Sequence, residues 1–215
     1  MSESSAALRR PLAPEDEARA EFYALLARLF ARAPDAPLLA AIAGAAPLAP
    51  PARPPEDGGG TLADAWERLR AASAATLAEA ARDEFQTLFV GVGRSEVSLY
   101  ASHYLGPQSG RPLAELRTSL AALGLARRPE SNEFEDHLSA VLETMRFLVA
   151  GDADCDWRPA TIAEQQGFFA RHVGPWAFAC CAAISANPVA NYYGRVAQFA
   201  ERFLALERDS FAVEE

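Results

Sequence analysis

Apolar residues recur along this chain at intervals of three and four, the spacing that gathers them on one stripe of an α-helix. Phe22, Leu25, Leu26, Leu29 and Phe30 form the first stripe and predict a helix from about Pro14 to Arg32, stopped by Pro34. A short helix near Pro37 to Ala43 ends at Gly44, and Pro47, Pro50, Pro51, Pro54 and Pro55 with the Gly58 to Gly60 triplet predict a loop over residues 47–60. Thr61 with Asp64 three residues on has the form of a capped helix start, and Trp66, Leu69, Leu77, Phe85, Leu88 and Phe89 predict one long helix ending at Gly91 and Gly93. Residues 93–110 break the period and crowd Tyr100, Ser102, His103 and Tyr104 into what reads as a loop held against something.

Beyond that loop the helical spacing returns. Pro112 opens a helix carrying Leu113, Leu116, Leu120 and Leu123, with Gly124 where a left-handed residue is wanted. Ser131 or Asn132 is expected to cap a helix with Phe134, Leu138, Val141, Leu142, Met145, Leu148 and Val149 on its stripe, ended by Gly151. Another helix is expected from near Pro159 to His172, broken at Gly174 and Pro175 and restarted by Trp176; Asn187 and Pro188 should begin the last, with Val189, Tyr192, Tyr193, Val196, Phe199, Phe203 and Leu204 inward. No unit repeats at a fixed period of about 20 to 50 residues. The pattern predicts an all-α protein: one helical domain over residues 14–208, a disordered start at 1–13 and a tail at 209–215.

Composition narrows what such a bundle can do. The 215 residues carry 20 basic side chains, all arginine, against 29 acidic ones, a net charge of −9. The absence of lysine excludes Schiff-base chemistry and the lysine-terminated phosphate loop. Acidity argues against a sequence-independent grip on nucleic acid or anionic lipid and favours a cationic partner. Alanine at roughly a fifth of the chain, with arginine as the sole base, reads as the habit of a GC-rich genome. Arg9 and Arg10 are followed by no apolar run, so they do not form an export signal, and the longest apolar stretches are about half of the roughly 20 residues a membrane helix needs. Three cysteines, two of them adjacent as Cys180 and Cys181, fit a reducing, cytoplasmic setting.

Catalytic signatures are sparse. His103, His137 and His172 lie in separate segments with no metal-ligand spacing, no nucleophile elbow is present, and Cys180 and Cys181 sit in an Ala-rich stretch that favours buried, inert thiols. No metal or cofactor is expected. One distribution stands out: Glu130, Glu133, Glu135, Asp136, Glu143, Asp152, Asp154 and Asp156 face only Arg146 between Pro129 and Asp156, holding −7 of the net −9. Taken alone, this reads as a solvated helix face with acids favoured in its first turn.

Three stretches resemble the TorD/DmsD/NarJ-like redox-enzyme maturation chaperones. They are Glu84 to Gly91 with the Tyr100-Ala101-Ser102 loop after it; Asn132 to Leu138, containing Asp136-His137-Leu138, with Leu142-Glu143-Thr144-Met145; and Phe168-Phe169, His172, Pro175, Trp176 and Asn191-Tyr192-Tyr193. Phe134 stands where family members commonly carry proline. The resemblance implies about eight to ten helices in two halves joined by a hinge, here at residues 124–132. It implies a cytoplasmic, non-enzymatic chaperone that binds the twin-arginine leader and apo form of a molybdenum-cofactor oxidoreductase, assists cofactor insertion and proofreads before export or assembly. It also implies a monomer or a domain-swapped dimer. The family's leader-recognition pair falls on Asp136 and His137, and the expected peptide site comprises Tyr100, Ser102, Tyr104, Glu133, Glu135, Asp136, His137 and Glu143. Carboxylates and aromatic faces are what arginine guanidinium pairs with best. Two other readings stand beside it: a structural helical adaptor in which the Asp-His step braces helices, and a small helical enzyme using Asp136, His137 and Glu143 as acid, base and orienting group.

Overall fold

The computed structural model describes residues 12–50, 60–91, 95–106, 111–125, 134–152 and 157–213. The expected disordered start up to residue 11, loop residues 51–59, hinge residues 126–132, Glu133 and the acidic positions 153–156 lie outside the described residues.

Among those residues the fold is all-α, with two isolated β-bridges and no strand. α1 (Pro14–Ala31) and α2 (Ala36–Gly44) are followed by α3 (Leu62–Ala75) and α4 (Ala78–Phe85), which a π-turn extends through Gln86–Val90. α5 (Ala101–Tyr104), α6 (Arg111–Ala122) and α7 (Leu138–Ala150) come next. α8 (Ile162–Phe168) runs through a second π-turn, Phe169–Val173, into α9 (Gly174–Ala186), and α10 (Tyr192–Val213) closes the chain. The π-turns fuse these segments into nine continuous helical runs among the described residues, within the number expected.

Local chemistry accounts for many boundaries. Thr61 and Asp64 form the expected capping box, and Asp35 and Thr161 cap α2 and α8 by the same side-chain-to-amide bond. The predicted long helix after Thr61 is instead two helices, because Thr76 and Leu77 are extended and Leu77 is exposed. The break turns α4 so that Ala81, Phe85 and Leu88 face the core. The expected stop at Gly174–Pro175 is also absent. Pro175 has no N–H to give the turn before it, and a π-turn there lets Gly174 donate to the Phe169 carbonyl, so the helix continues. The tail expected from residue 209 is helical to Val213, held by buried Phe211.

Tertiary packing interleaves the two ends of the chain. α1 lies along α7, and α10 packs on α9 and α3. Phe22 meets Trp66, Phe199 and Phe203 at ring-centre distances of 5.2–5.6 Å, and Tyr23 meets Phe203 at 4.8 Å. A buried carboxylate sits in this core: Glu207 accepts from Arg19 Nε at 2.8 Å and Tyr23 Oη at 2.9 Å, while Arg19 Nη2 also reaches Gln165 Oε1 at 2.9 Å. A buried carboxylate so surrounded is charge-compensated, and the network ties α1, α8 and α10 together. No described helix is long and apolar enough to cross a membrane.

Candidate functional site

The segment that leads into α5 is a loop with the alternation of a strand. Val97, Leu99 and Ala101 point into the core, and Ser98, Tyr100 and Ser102 point the other way. Its backbone is pinned throughout. Val97 N donates to Leu88 O at 2.9 Å, Ala101 N to Asp136 O at 2.9 Å, and Leu138 N donates back to Leu99 O at 2.8 Å. Ser98 O accepts from Tyr104 Oη at 2.8 Å and lies 3.6 Å from Cys180 Sγ, which fastens the loop to α9.

This pairing decides where α7 begins. Residues 134–137 form a turn, His137 is the N-cap, and the helix starts at Leu138 instead of running from Ser131 or Asn132 through the Asp-His step. Asp136 and His137 therefore lie at a helix entrance, held by the Tyr100 segment.

An open cleft of 670 Å³ lies between this loop, the start of α6 and the turn before α7. Ser98, Tyr100, Ser102 and His103 line it from the loop and α5, Pro112 and Leu113 from α6, and Phe134 and Asp136 from the turn before α7. Phe134 stands 53% exposed at the rim. Asp136 is only 3% exposed, and its Oδ2 accepts from Ser102 N at 3.1 Å. The result is a carboxylate set into walls that are largely apolar or aromatic.

Of the expected site residues, the structure brings Tyr100, Ser102 and Asp136 together in this cleft. His137 lies behind them, buried, with Nδ1 2.7 Å from Ser139 Oγ and accepting from Ser139 N at 3.2 Å; its ring meets Tyr100 edge-on at 4.9 Å. Tyr104 turns away and stacks on Trp176 at 5.8 Å, and burial beside Cys180 and Cys181 pushes its hydroxyl pKa upward. Glu135 forms a two-pronged pair with Arg117 of α6, both bonds 3.1 Å. That bond, the charge of Glu135 and, behind them, the charge of Asp136 raise the Arg117 pKa. Glu143 lies more than a turn along α7, paired with Arg146 at 2.8 Å, and Glu133 is outside the described residues. Asp136, His137 and Glu143 therefore do not converge as acid, base and orienting group.

Sequence reasoning did not name Pro112, Leu113, Phe134 or Arg117 as site residues. Pro112 and Leu113 looked like helix-start and stripe positions, which they also are; Phe134, expected on the stripe of α7, instead lies exposed before that helix, and nothing local marks Arg117 as the partner of a residue 18 positions away. Cys180 and Cys181 are buried as expected, and desolvation pushes the Cys180 thiol up to about 12. Among the described residues no group of three or more His, Cys, Asp or Glu side chains could hold a metal ion.

Residues 58–182, from just before α3 into α9, match the nitrate reductase delta subunit family over more than half the chain. The chain belongs to the nitrate reductase delta subunit family. The matched stretch contains the whole cleft, and the earlier resemblance to redox-enzyme maturation chaperones is borne out. This family member is also 30% identical over 132 residues to the perchlorate reductase assembly chaperone protein of Dechloromonas aromatica (strain RCB), a match covering 57% of this chain and 59% of that protein. The alignment thus spans about three-fifths of the relative's length.

Proposed function

We propose that this delta-family protein is a non-catalytic, cytoplasmic assembly chaperone for the apo catalytic subunit of a molybdenum-cofactor oxidoreductase, and that its cleft takes the arginine-bearing leader of that subunit. Its similarity to the perchlorate reductase assembly chaperone protein of D. aromatica supports the assembly part. The observation that carries the leader part is the nearly buried Asp136 carboxylate between the aromatic and apolar walls of an open cleft. An arginine entering there gains a charge-assisted bond in a poorly hydrated place and a ring face at Tyr100, and the apolar segment of a leader covers Leu113 and Phe134. Insertion of the cofactor and proofreading before export or assembly follow if the chaperone holds the client until it is loaded.

His137 favours a second, structural role. Buried and bonded to Ser139, it braces the start of α7, as the adaptor reading expected, and on this proposal it supports the floor without touching the leader. Calorimetry of the full chain with a synthetic twin-arginine leader in low salt separates the roles. Asp136→Asn keeps an acceptor for Ser102 N but removes the charge, and should weaken binding about tenfold or more, the worth of a hydrogen bond to a charged group. His137→Asn retains a good N-cap and should leave affinity within about twofold. No binding by the wild type, or equal losses in both variants, overturns the leader assignment. Co-purification of a molybdoenzyme subunit tests the assembly role separately.

A further inference from the structure

Glu135 lies between two residues that line the cleft, Phe134 and Asp136, and it is already holding an arginine. Arg117 lies one helical turn beyond Leu113, a residue of α6 that lines the cleft. Its Nε and Nη2 each reach one oxygen of Glu135 at 3.1 Å, the fork that a ligand guanidinium would make. The two partners are unequally placed: the Glu135 side chain is 14% exposed and that of Arg117 is 52% exposed.

From this geometry we propose that Arg117 is an internal stand-in for a ligand arginine, clasping α6 to the turn before α7 beside the cleft until a guanidinium from the client displaces it. The inference rests on the leader-binding reading and adds to it a selectivity residue. The exposed partner is the one that can leave, because Arg117 rotates into water at little cost. An arginine replacing it restores both prongs. A lysine, with a single point of charge, does not. The site therefore favours arginine over lysine through exchange of one fork for another.

The test uses the full chain and synthetic leaders whose paired arginines are kept, changed to paired lysines or changed to paired alanines. Arg117→Gln should bind the diarginine leader about two- to fivefold more tightly than wild type, the scale of an exposed ion pair, and should leave the dialanine leader unchanged. Arg117→Lys, which keeps the charge but loses the fork, should fall between them. Unchanged or weaker binding of the diarginine leader by Arg117→Gln overturns the clasp. So does an equal gain for all three leaders, which would mean a generally loosened cleft. If wild type binds none of the leaders, hydrogen exchange in the free protein decides. Faster exchange at Ala101 N and Leu138 N, the amides that hold the turn carrying Glu135, in Arg117→Gln upholds a clasp on that turn while the leader reading fails, and unchanged exchange overturns both.

Discussion

The start of α10 is capped by a residue more than a hundred positions away, and removing that residue tests how this fold is held. The carboxylate of Glu84, on α4, accepts from Asn191 N at 2.9 Å, Tyr192 N at 3.1 Å and Tyr193 N at 2.8 Å. The Asn191 side chain is turned to Val189 O, so the cap of a 22-residue helix comes from another element. A negative charge on three aligned amides also meets the positive end of the helix dipole. Beneath the cap Tyr192 and Tyr193 are buried, and Tyr193 Oη donates to Leu29 O at 3.1 Å, so fraying here loosens α10 from α1. Glu84→Ala removes every acceptor and should cost about 2–3 kcal/mol, a lost cap together with the charge-assisted part of its bonds. For a domain of this size that is a fall of roughly 4–12 °C in Tm. Glu84→Gln keeps an oxygen, loses the charge and should cost about 1 kcal/mol. Thermal unfolding followed by far-UV circular dichroism orders the three proteins. If Glu84→Ala melts within about 1 °C of wild type, water replaces the cap without penalty and the reasoning is wrong.

Three further outcomes follow from single sites. Gly151→Ala should destabilise by about 2 kcal/mol or more in denaturant titration, because φ is +68° there and an added Cβ would run into the Trp157 carbonyl oxygen. Burial first, then the charge of Arg171, hold His172 below its ordinary 6.5, against an opposing pull from Glu115. The unfolded chain therefore takes up the proton first as pH falls, so this contribution is full above pH 6.5 and declines below it; the denaturation midpoint should drop from about pH 7.5 to 5.5 by less in His172→Gln than in wild type. Cys180 and Cys181 should resist iodoacetamide in the native protein at about pH 8 and react once it is unfolded, as peptide mass mapping would show, since burial raises both thiols far above that pH.

Much of this molecule is written in short-range pattern. The apolar stripes of α1, α6 and α7 are the faces that became buried, and Thr61 and Asp64 cap α3 across three residues, because a helix start is decided by atoms within one turn. The nearness of Tyr100, Ser102 and Asp136 followed from a family resemblance, and the contact itself is made by backbone pairing over more than 30 residues. Where the reading went astray, a distant partner had outbid the local preference. Helical spacing around Asp136 and His137 suggested one continuous helix, but Leu99 and Ala101 claim the backbone there and delay α7 to Leu138. Asn187 and Pro188 looked like a helix start with Val189 inward, yet Asn187 closes a small turn onto Val189 N, Val189 is exposed, and α10 waits for Glu84.

The sequence by itself determined that the protein is helical, which faces are buried, and that an acidic stretch surrounds an Asp-His step. Only the tertiary structure decided which of those acids line the cleft. Glu135 and Glu143 are paired with Arg117 and Arg146, and Asp136 alone among the described acids of that stretch lines the cleft. Charge can be counted along a chain, but whether a carboxylate is available depends on which arginine folding brings beside it, and for Glu135 that arginine comes from a different helix.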